Sequence, residues 1–393
     1  MRAPLPEGPS SLLFVLKVAS RCNLNCSYCY VYNKGDSTWK SRPVYMPDDV
    51  LDAALDRIRA WCRSNRQERV SILFHGGEPL LAGHTRFAGW CDRIRAALHG
   101  TAQVSFILQT NAVLIDDEWT RIFRAYRVGV GISIDGPRDI HDRFRVTHDG
   151  RGSYDDVLAG IARMRQAGLP VSILCVVPFG ADGARVHRGF TEMGAGRISY
   201  LLPDFTHDSI AGVWAAHGPA PCADFLIPAF DSWWSHDTLD VLVEPFLNIT
   251  RLIMGGASIL DILGNQPFRF VFVEADGSIE GLDVLRVCGE GTCATGLNVL
   301  RDDFDRLAGL EQPQIRAIFS SPPLPDDCHP CPERDTCSGG YLPHRWSKAA
   351  GFNNASVWCR DLLLLFEHIR RRLDVSCEET RSRRAALEEL KPC

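Results

Sequence analysis

The stretch Leu12-Leu-Phe-Val-Leu-Lys-Val-Ala-Ser20-Arg-Cys22-Asn-Leu-Asn-Cys26-Ser-Tyr-Cys29 decides how this chain is read. Its first half is an apolar run of strand length, 12–18. Its second half is a loop that spaces three cysteines as C-x3-C-x2-C. Three thiolates supply a cubane iron–sulfur cluster with three ligands and leave one iron open. A zinc knuckle is the alternative, but structural zinc takes four protein ligands. No fourth Cys or His follows in that loop before His75.

Working outward, short apolar runs alternate with amphipathic ones. Strands are expected at 12–18, 70–75, 104–109, 128–134, 171–177 and 197–202. Between them, 47–62 places Val50, Leu51, Ala54, Leu55, Ile58 and Trp61 at helical spacing, and 116–126 does the same with Trp119, Ile122, Phe123 and Tyr126. Ser153-Tyr-Asp-Asp156 reads as a capping box that opens a helix ending at Gly168. Strand–helix repeats of this kind build parallel sheet with crossover helices. Six strands suit an α/β partial (β/α)6 TIM-like barrel better than a closed eightfold one; an open sheet in the same order is the alternative. Beyond 202, helices are expected near 223–235 and 242–254, and a hairpin over 268–282 turning at Asp276-Gly277. A turn-rich, cysteine-rich segment, a helix over 361–373 and a charged tail complete the chain. The expected division is an extension 1–11, a barrel 12–215, a helical bridge 216–264, a cysteine-rich domain 265–375 and a tail 376–393.

Fifteen cysteines are too many to leave idle in a reducing compartment, where clustered thiols read as metal ligands rather than disulfides. They fall into three groups: Cys22, Cys26 and Cys29; Cys288 and Cys293; and Cys328, Cys331, Cys337 and Cys359. The remaining six read as isolated thiols. A net charge of −5 without a basic stripe argues against a nucleic-acid partner. The absence of a signal-like or membrane-length apolar run argues for a cytoplasmic protein with no membrane partner.

With Tyr28 just before the third cysteine, the loop after the first strand resembles that of the radical S-adenosylmethionine (SAM) superfamily. The resemblance implies a [4Fe–4S] cluster on Cys22, Cys26 and Cys29, whose open iron chelates the amino and carboxylate groups of SAM and yields a 5′-deoxyadenosyl radical. It implies that Tyr28 packs by the adenine, and that Gly76-Gly77-Glu78-Pro79 holds the SAM amino group. Gln109-Thr-Asn111 ends the third strand, and Ser133 and Arg145 would contact the carboxylate and ribose; a plain strand-end polar role is the alternative for each. All sit at strand C-termini, where barrel active sites are built.

Cys328-x2-Cys331-x5-Cys337, then Cys359, resembles the SPASM extension of peptide-modifying radical SAM enzymes and implies a second, auxiliary [4Fe–4S] cluster; a zinc ribbon is the alternative. Two further ligands of the full SPASM pattern are missing, with Leu282 and Tyr341 in their places, so two clusters are expected and not three. Asp283, beside Leu282, is expected to have a raised pKa and to serve as a general base, with a surface hairpin-end aspartate as the alternative. The runs Cys337-Ser-Gly-Gly-Tyr-Leu-Pro-His344-Arg345-Trp346 and Gly351-Phe-Asn-Asn-Ala-Ser-Val-Trp-Cys359 resemble the cyclophane-forming subgroup. The function this implies is a C–C crosslink between an aromatic ring and a β-carbon in a ribosomally made precursor peptide. A formylglycine-forming sulfatase-type maturase, or a thioether-forming or epimerising enzyme with Cys288 as hydrogen donor, is the alternative. Expected partners are the precursor peptide, an electron donor such as flavodoxin or ferredoxin, and a separate leader-binding protein.

Overall fold

The computed structural model describes residues 12–236, 240–258, 260–264 and 266–389. The expected extension 1–11 and the last four tail residues lie outside the described residues. The chain forms two compact units. The first holds the chain up to Ile134 with His141–Ile173 and Arg269–Phe319; the second holds Asp135–Ile140, Leu174–Phe268 and the chain from Ser320 onward.

All six expected strands are present: β1 (Leu13–Ala19), β2 (Arg69–Gly76), β3 (Gln103–Thr110), β4 (Gly129–Ser133), β5 (Val171–Val176) and β6 (Ala195–Leu201). A short β7 (Leu242–Val243) precedes the helix Glu244–Ile253, and β8 (Phe270–Val273), β9 (Ser278–Glu280) and β10 (Ala294–Asn298) follow. Within the first unit the order is β10-β9-β8-β1-β2-β3-β4. β1 through β4 are parallel neighbours, with Lys17 opposite His75 across β1 and β2. The α/β expectation holds.

Helices Asp48–Ser64 and Asp117–Tyr126 bury the stripes that their spacing requires, except that Tyr126 is only half-buried. The second is capped by Asp116, whose carboxylate accepts from Trp119 N at 2.9 Å. The helix Tyr154–Gln166 also forms, but without the expected capping box. Ser153 Oγ instead donates to Arg145 O at 2.8 Å and meets His141 Nε2 at 2.9 Å, so the hydroxyl anchors the Arg145 loop and not the helix end. Phe14, Phe74, Phe87, Trp90 and Phe123 fill the core, with the Phe74 and Phe87 rings 4.7 Å apart.

The hairpin β8–β9 turns at Gly277, whose φ of +82° favours glycine. It does more than the sequence suggested, since β8 lies parallel against the free edge of β1, Leu13 opposite Phe270. A buried ionic network pins it to the loop after the cysteines. Arg286 binds Asp36 at 2.7 Å, Glu274 at 2.8 Å and Glu280, while Arg42 binds Glu274 at 2.7 Å and Glu280. Burial and the neighbouring Glu274 push Glu280 up to about 7 against the pull of the two arginines.

In the second unit, helix Gly183–Glu192 packs on Pro221–Trp234 so closely that a Cβ at Gly183 would fall 1.9 Å from Phe225 O. Tyr200, Phe225, Phe230 and Phe246 pack beneath. The tail forms the helix Cys377–Glu389, docked by buried Thr380, which donates to Ile253 O at 2.7 Å. Among the described residues, no helix is long and apolar enough to cross a membrane.

Candidate active site

The loop after β1 is held from two sides. Asn25 N and Ser27 N donate to Val146 O and Phe144 O at 2.7 and 3.0 Å, and Gly77 N and Glu78 N donate to Ala19 O and Arg21 O at 2.8 and 2.9 Å. The paired glycines follow from this close approach. A Cβ at Gly77 would lie 2.1 Å from Tyr32 Oη and 2.2 Å from Arg21 O; one at Gly76, where φ is +139°, would lie 2.1 Å from Ala19 O.

The three thiols are close enough for the charges of Cys26 and Cys29 to act on Cys22. Burial raises the pKa of Cys22 and of Cys29. Such thiols stay protonated until a metal displaces their protons. Asn111 Nδ2 lies 3.8 Å from Cys22 Sγ and 2.8 Å from Asn23 Oδ1. Arg145 Nη1 lies 3.8 Å from Cys26 Sγ, with its guanidinium carbon 5.4 Å from the centre of the Tyr28 ring. Gln109 Nε2 donates to Ser133 Oγ at 2.7 Å.

Glu78 is 1% exposed. Its carboxylate accepts from Leu80 N at 3.0 Å, Thr110 Oγ1 at 2.8 Å and Asn111 N at 2.7 Å. Burial outweighs these donors and pushes it up to about 7. Among the described residues no cationic side chain pairs with it. A buried carboxylate of this kind suits an incoming ammonium group, and with the glycine cradle and three thiols it fits the SAM and cluster that the sequence implies.

Asp283 is buried, but the expected raised pKa is corrected by its partners. Burial raises it, yet the salt bridge from Lys17, the nearby His75 and the 2.7 Å hydrogen bond donated by Tyr30 Oη together hold it below the usual carboxylate range. Lys17 is 3% exposed. His75 is kept neutral, its pKa lowered to about 4 by burial and by Lys17; among the described residues its Nδ1 has no hydrogen-bond partner. Lys17, Tyr30 and His75 were not foreseen. Tyr30 and His75 could have been suspected from their places beside a motif, Tyr30 directly after Cys29 and His75 directly before Gly76; Lys17 could not. Their meeting with Asp283 depends on pairings remote in sequence.

In the second unit, Cys328, Cys331, Cys337 and Cys359 line one cavity with Arg334, Gly339, Ala355, Ser356 and Leu363. Burial pushes Cys337 up to about 12. Among the described residues, no three Cys, His or acidic donors converge as they would on a lone metal ion; the four thiols ring a space. Tyr341, in the same unit, is buried; in the first unit Leu282 and Cys293 are buried, with Cys293 Sγ 3.4 Å from both Leu282 O and Asp283 O. His344 is buried with Nε2 3.4 Å from Asp204 Oδ1.

A model of the Radical SAM superfamily matches residues 16–186. Over 387 residues the chain is 25% identical to the cysteine-type anaerobic sulfatase-maturating enzyme of Clostridium perfringens strain 13, covering 92% of this chain and 96% of that protein. The serine-type enzyme of Bacteroides thetaiotaomicron is 24% identical over 97% of this chain and 94% of its own length. The structure of native anSMEcpe with bound AdoMet superposes with a TM-score of 0.75 at 24% identity, covering 92% and 97% of the two chains. Streptococcus suis SuiB bound to precursor peptide SuiA gives 0.58 at 15% identity, covering 90% and 76%. At these identities the superpositions show a shared fold. The superfamily match over residues 16–186 spans the cysteine loop, the glycine cradle and Arg145, so this part of the chain is similar to the radical SAM superfamily.

Proposed function

We propose that the chain is a radical SAM peptide maturase that removes two electrons from a side chain of its substrate, beginning at the β-carbon. The observation that carries this reading is the hydrogen bond from Tyr30 to Asp283. It ties an ionised carboxylate to the residue that follows Cys29, next to where the radical would arise. Bound SAM supplies the hydrogen-abstracting radical; the cofactor brings that chemistry and the protein brings position and charge. Glu78 would meet the SAM ammonium, with Asn111, Arg145 and the Gln109–Ser133 pair around the cluster and nucleoside, and Tyr28 by the adenine. A carbon radical that loses an electron becomes a strong acid, so even a weak base can take its proton. Asp283, held ionised by Lys17 and Tyr30, is suited to that. The four-thiolate site is suited to the electron, and a flavodoxin or ferredoxin to starting the cycle.

The comparisons favour an aldehyde product, formylglycine from Ser or Cys, because the relatives spanning nearly the whole chain are sulfatase maturases. The second reading is a C–C crosslink to an aromatic ring. It is favoured by Leu282 and Tyr341, buried apolar or aromatic residues where a further cluster would need thiolates, and a separate leader-binding protein would accompany it. Both readings are tested by incubating reconstituted enzyme, SAM and reductant with sulfatase-type peptides and with peptides encoded beside the gene. Oxidation of Ser or crosslinking each removes two hydrogens, about 2 Da. Capture by a hydrazide identifies the aldehyde, and a gap in fragmentation between two residues identifies the crosslink. An isobaric product with deuterium at Cα would overturn both in favour of epimerisation.

A further inference from the structure

Arg345 is 3% exposed and lies close enough to Cys337 and Cys328 for its charge to act on both thiols. Its guanidinium is wrapped by main chain. Nε donates to Gly340 O at 3.1 Å, Nη1 to Pro323 O at 3.0 Å, and Nη2 to Ser338 O at 2.6 Å and Gly340 O at 2.5 Å. The wrapping is tight, since a Cβ at Gly339 would lie 3.0 Å from the guanidinium carbon. Gly339 and Gly340 have φ of +82° and +73°, so this loop is shaped to surround the cation.

Among the described residues no carboxylate pairs with Arg345. Of the other buried arginines, Arg42 and Arg286 each hold at least two carboxylates, while Arg145 lies 3.8 Å from the thiol of Cys26. Carbonyl dipoles satisfy the N–H groups of Arg345 but do not cancel its charge. A buried cation without an anion is strongly disfavoured, so the charge asks for a counter-anion. The nearby groups able to provide one are the thiols of Cys337 and Cys328, which line one cavity with Cys331 and Cys359. A [4Fe–4S] cluster on four thiolates carries two negative charges when oxidised and three when reduced, and a fixed cation beside it favours the reduced form.

We infer that Arg345 is the counter-cation of an iron–sulfur cluster held by Cys328, Cys331, Cys337 and Cys359, and that its charge raises that cluster's reduction potential. This rests on reading the four-cysteine site as a cluster. The step it tunes is the uptake of one electron, with no bond made or broken. It also gives Arg345 a role in the second unit distinct from binding substrate.

The test uses the full chain with Cys22, Cys26 and Cys29 changed to Ala, so that only the auxiliary cluster remains. Iron is counted, then the cluster is titrated with dithionite and followed by electron paramagnetic resonance. About four irons per chain supports the cluster reading, and zinc alone or no metal would overturn that reading before Arg345 is tested. Given the cluster, Arg345→Gln should lower the reduced-to-oxidised ratio at a fixed potential by about tenfold, a shift of about 59 mV for one electron. Arg345→Lys keeps the charge, and should stay within about threefold of the parent. An unchanged potential in the Gln variant, or an equal fall in both variants, would overturn the inference. Loss of iron from the Gln variant alone supports it. Loss from both would reduce Arg345 to a brace for the loop and overturn it.

Discussion

At the scale of single residues, the consequential group is a lysine that looked like a strand residue. Lys17 interrupts the apolar run 12–18 and gives no local sign of a partner. Its partner, Asp283, is brought in from the hairpin end by the same fold that joins Asp283 to Tyr30, 253 positions away in sequence. That is why the acid was legible as a candidate and its ionisation was not. Removing one member of a buried pair strands the other, so Lys17→Met and Asp283→Asn should each destabilise the chain by about 3–5 kcal/mol in urea unfolding. The double variant should cost less than the sum. The lowered pKa of Asp283 also fixes a direction: its stabilisation is present above the unfolded value of 3.8 and lost as pH falls further. Acid titration of the double variant should lack that component.

Glu78 behaves in the opposite sense. Raised from 4.5 to about 7, it favours the folded apoprotein below 4.5, and this contribution is lost as pH rises through about 7. A ligand ammonium favours the ionised form, so SAM affinity measured by calorimetry on iron-loaded protein should rise with pH up to about 7 and flatten above. Glu78→Gln should bind more weakly and lose that pH dependence.

At the scale of elements, the six strands and their helices were legible because each is written locally, as a stripe of apolar residues at period two or 3.6. Ser153 shows where local reading fails: its spacing to Asp156 mimics a capping box, but the nearby Arg145 carbonyl is the better partner. The glycine pair is local in sequence and long-range in cause. Gly77→Ala should cost iron and SAM binding alike, because its methyl would strike the Arg21 carbonyl. Gly180→Ala, where a Cβ meets nothing within 4 Å but φ is +74°, should cost only stability. Metal analysis beside thermal unfolding separates the two.

At the scale of the whole molecule, the cysteine spacing announced two sites, and the fold sets one in each compact unit. What could not be read was the hairpin's allegiance. β8 joins β1 and gives the first unit both its cysteine loop and Asp283, a pairing that no local pattern encodes. The reconstituted chain should hold about eight irons, and Cys328→Ala with Cys331→Ala should leave about four, by iron and sulfide assay. The most direct measurement is 5′-deoxyadenosine formation from SAM under strictly anaerobic, reducing conditions. The native chain, and the variant lacking Cys328 and Cys331, should both release 5′-deoxyadenosine. The variant lacking Cys22, Cys26 and Cys29 should release none while keeping its auxiliary irons. A fully iron-loaded native chain that leaves SAM intact, or undiminished cleavage without those three cysteines, would contradict the account.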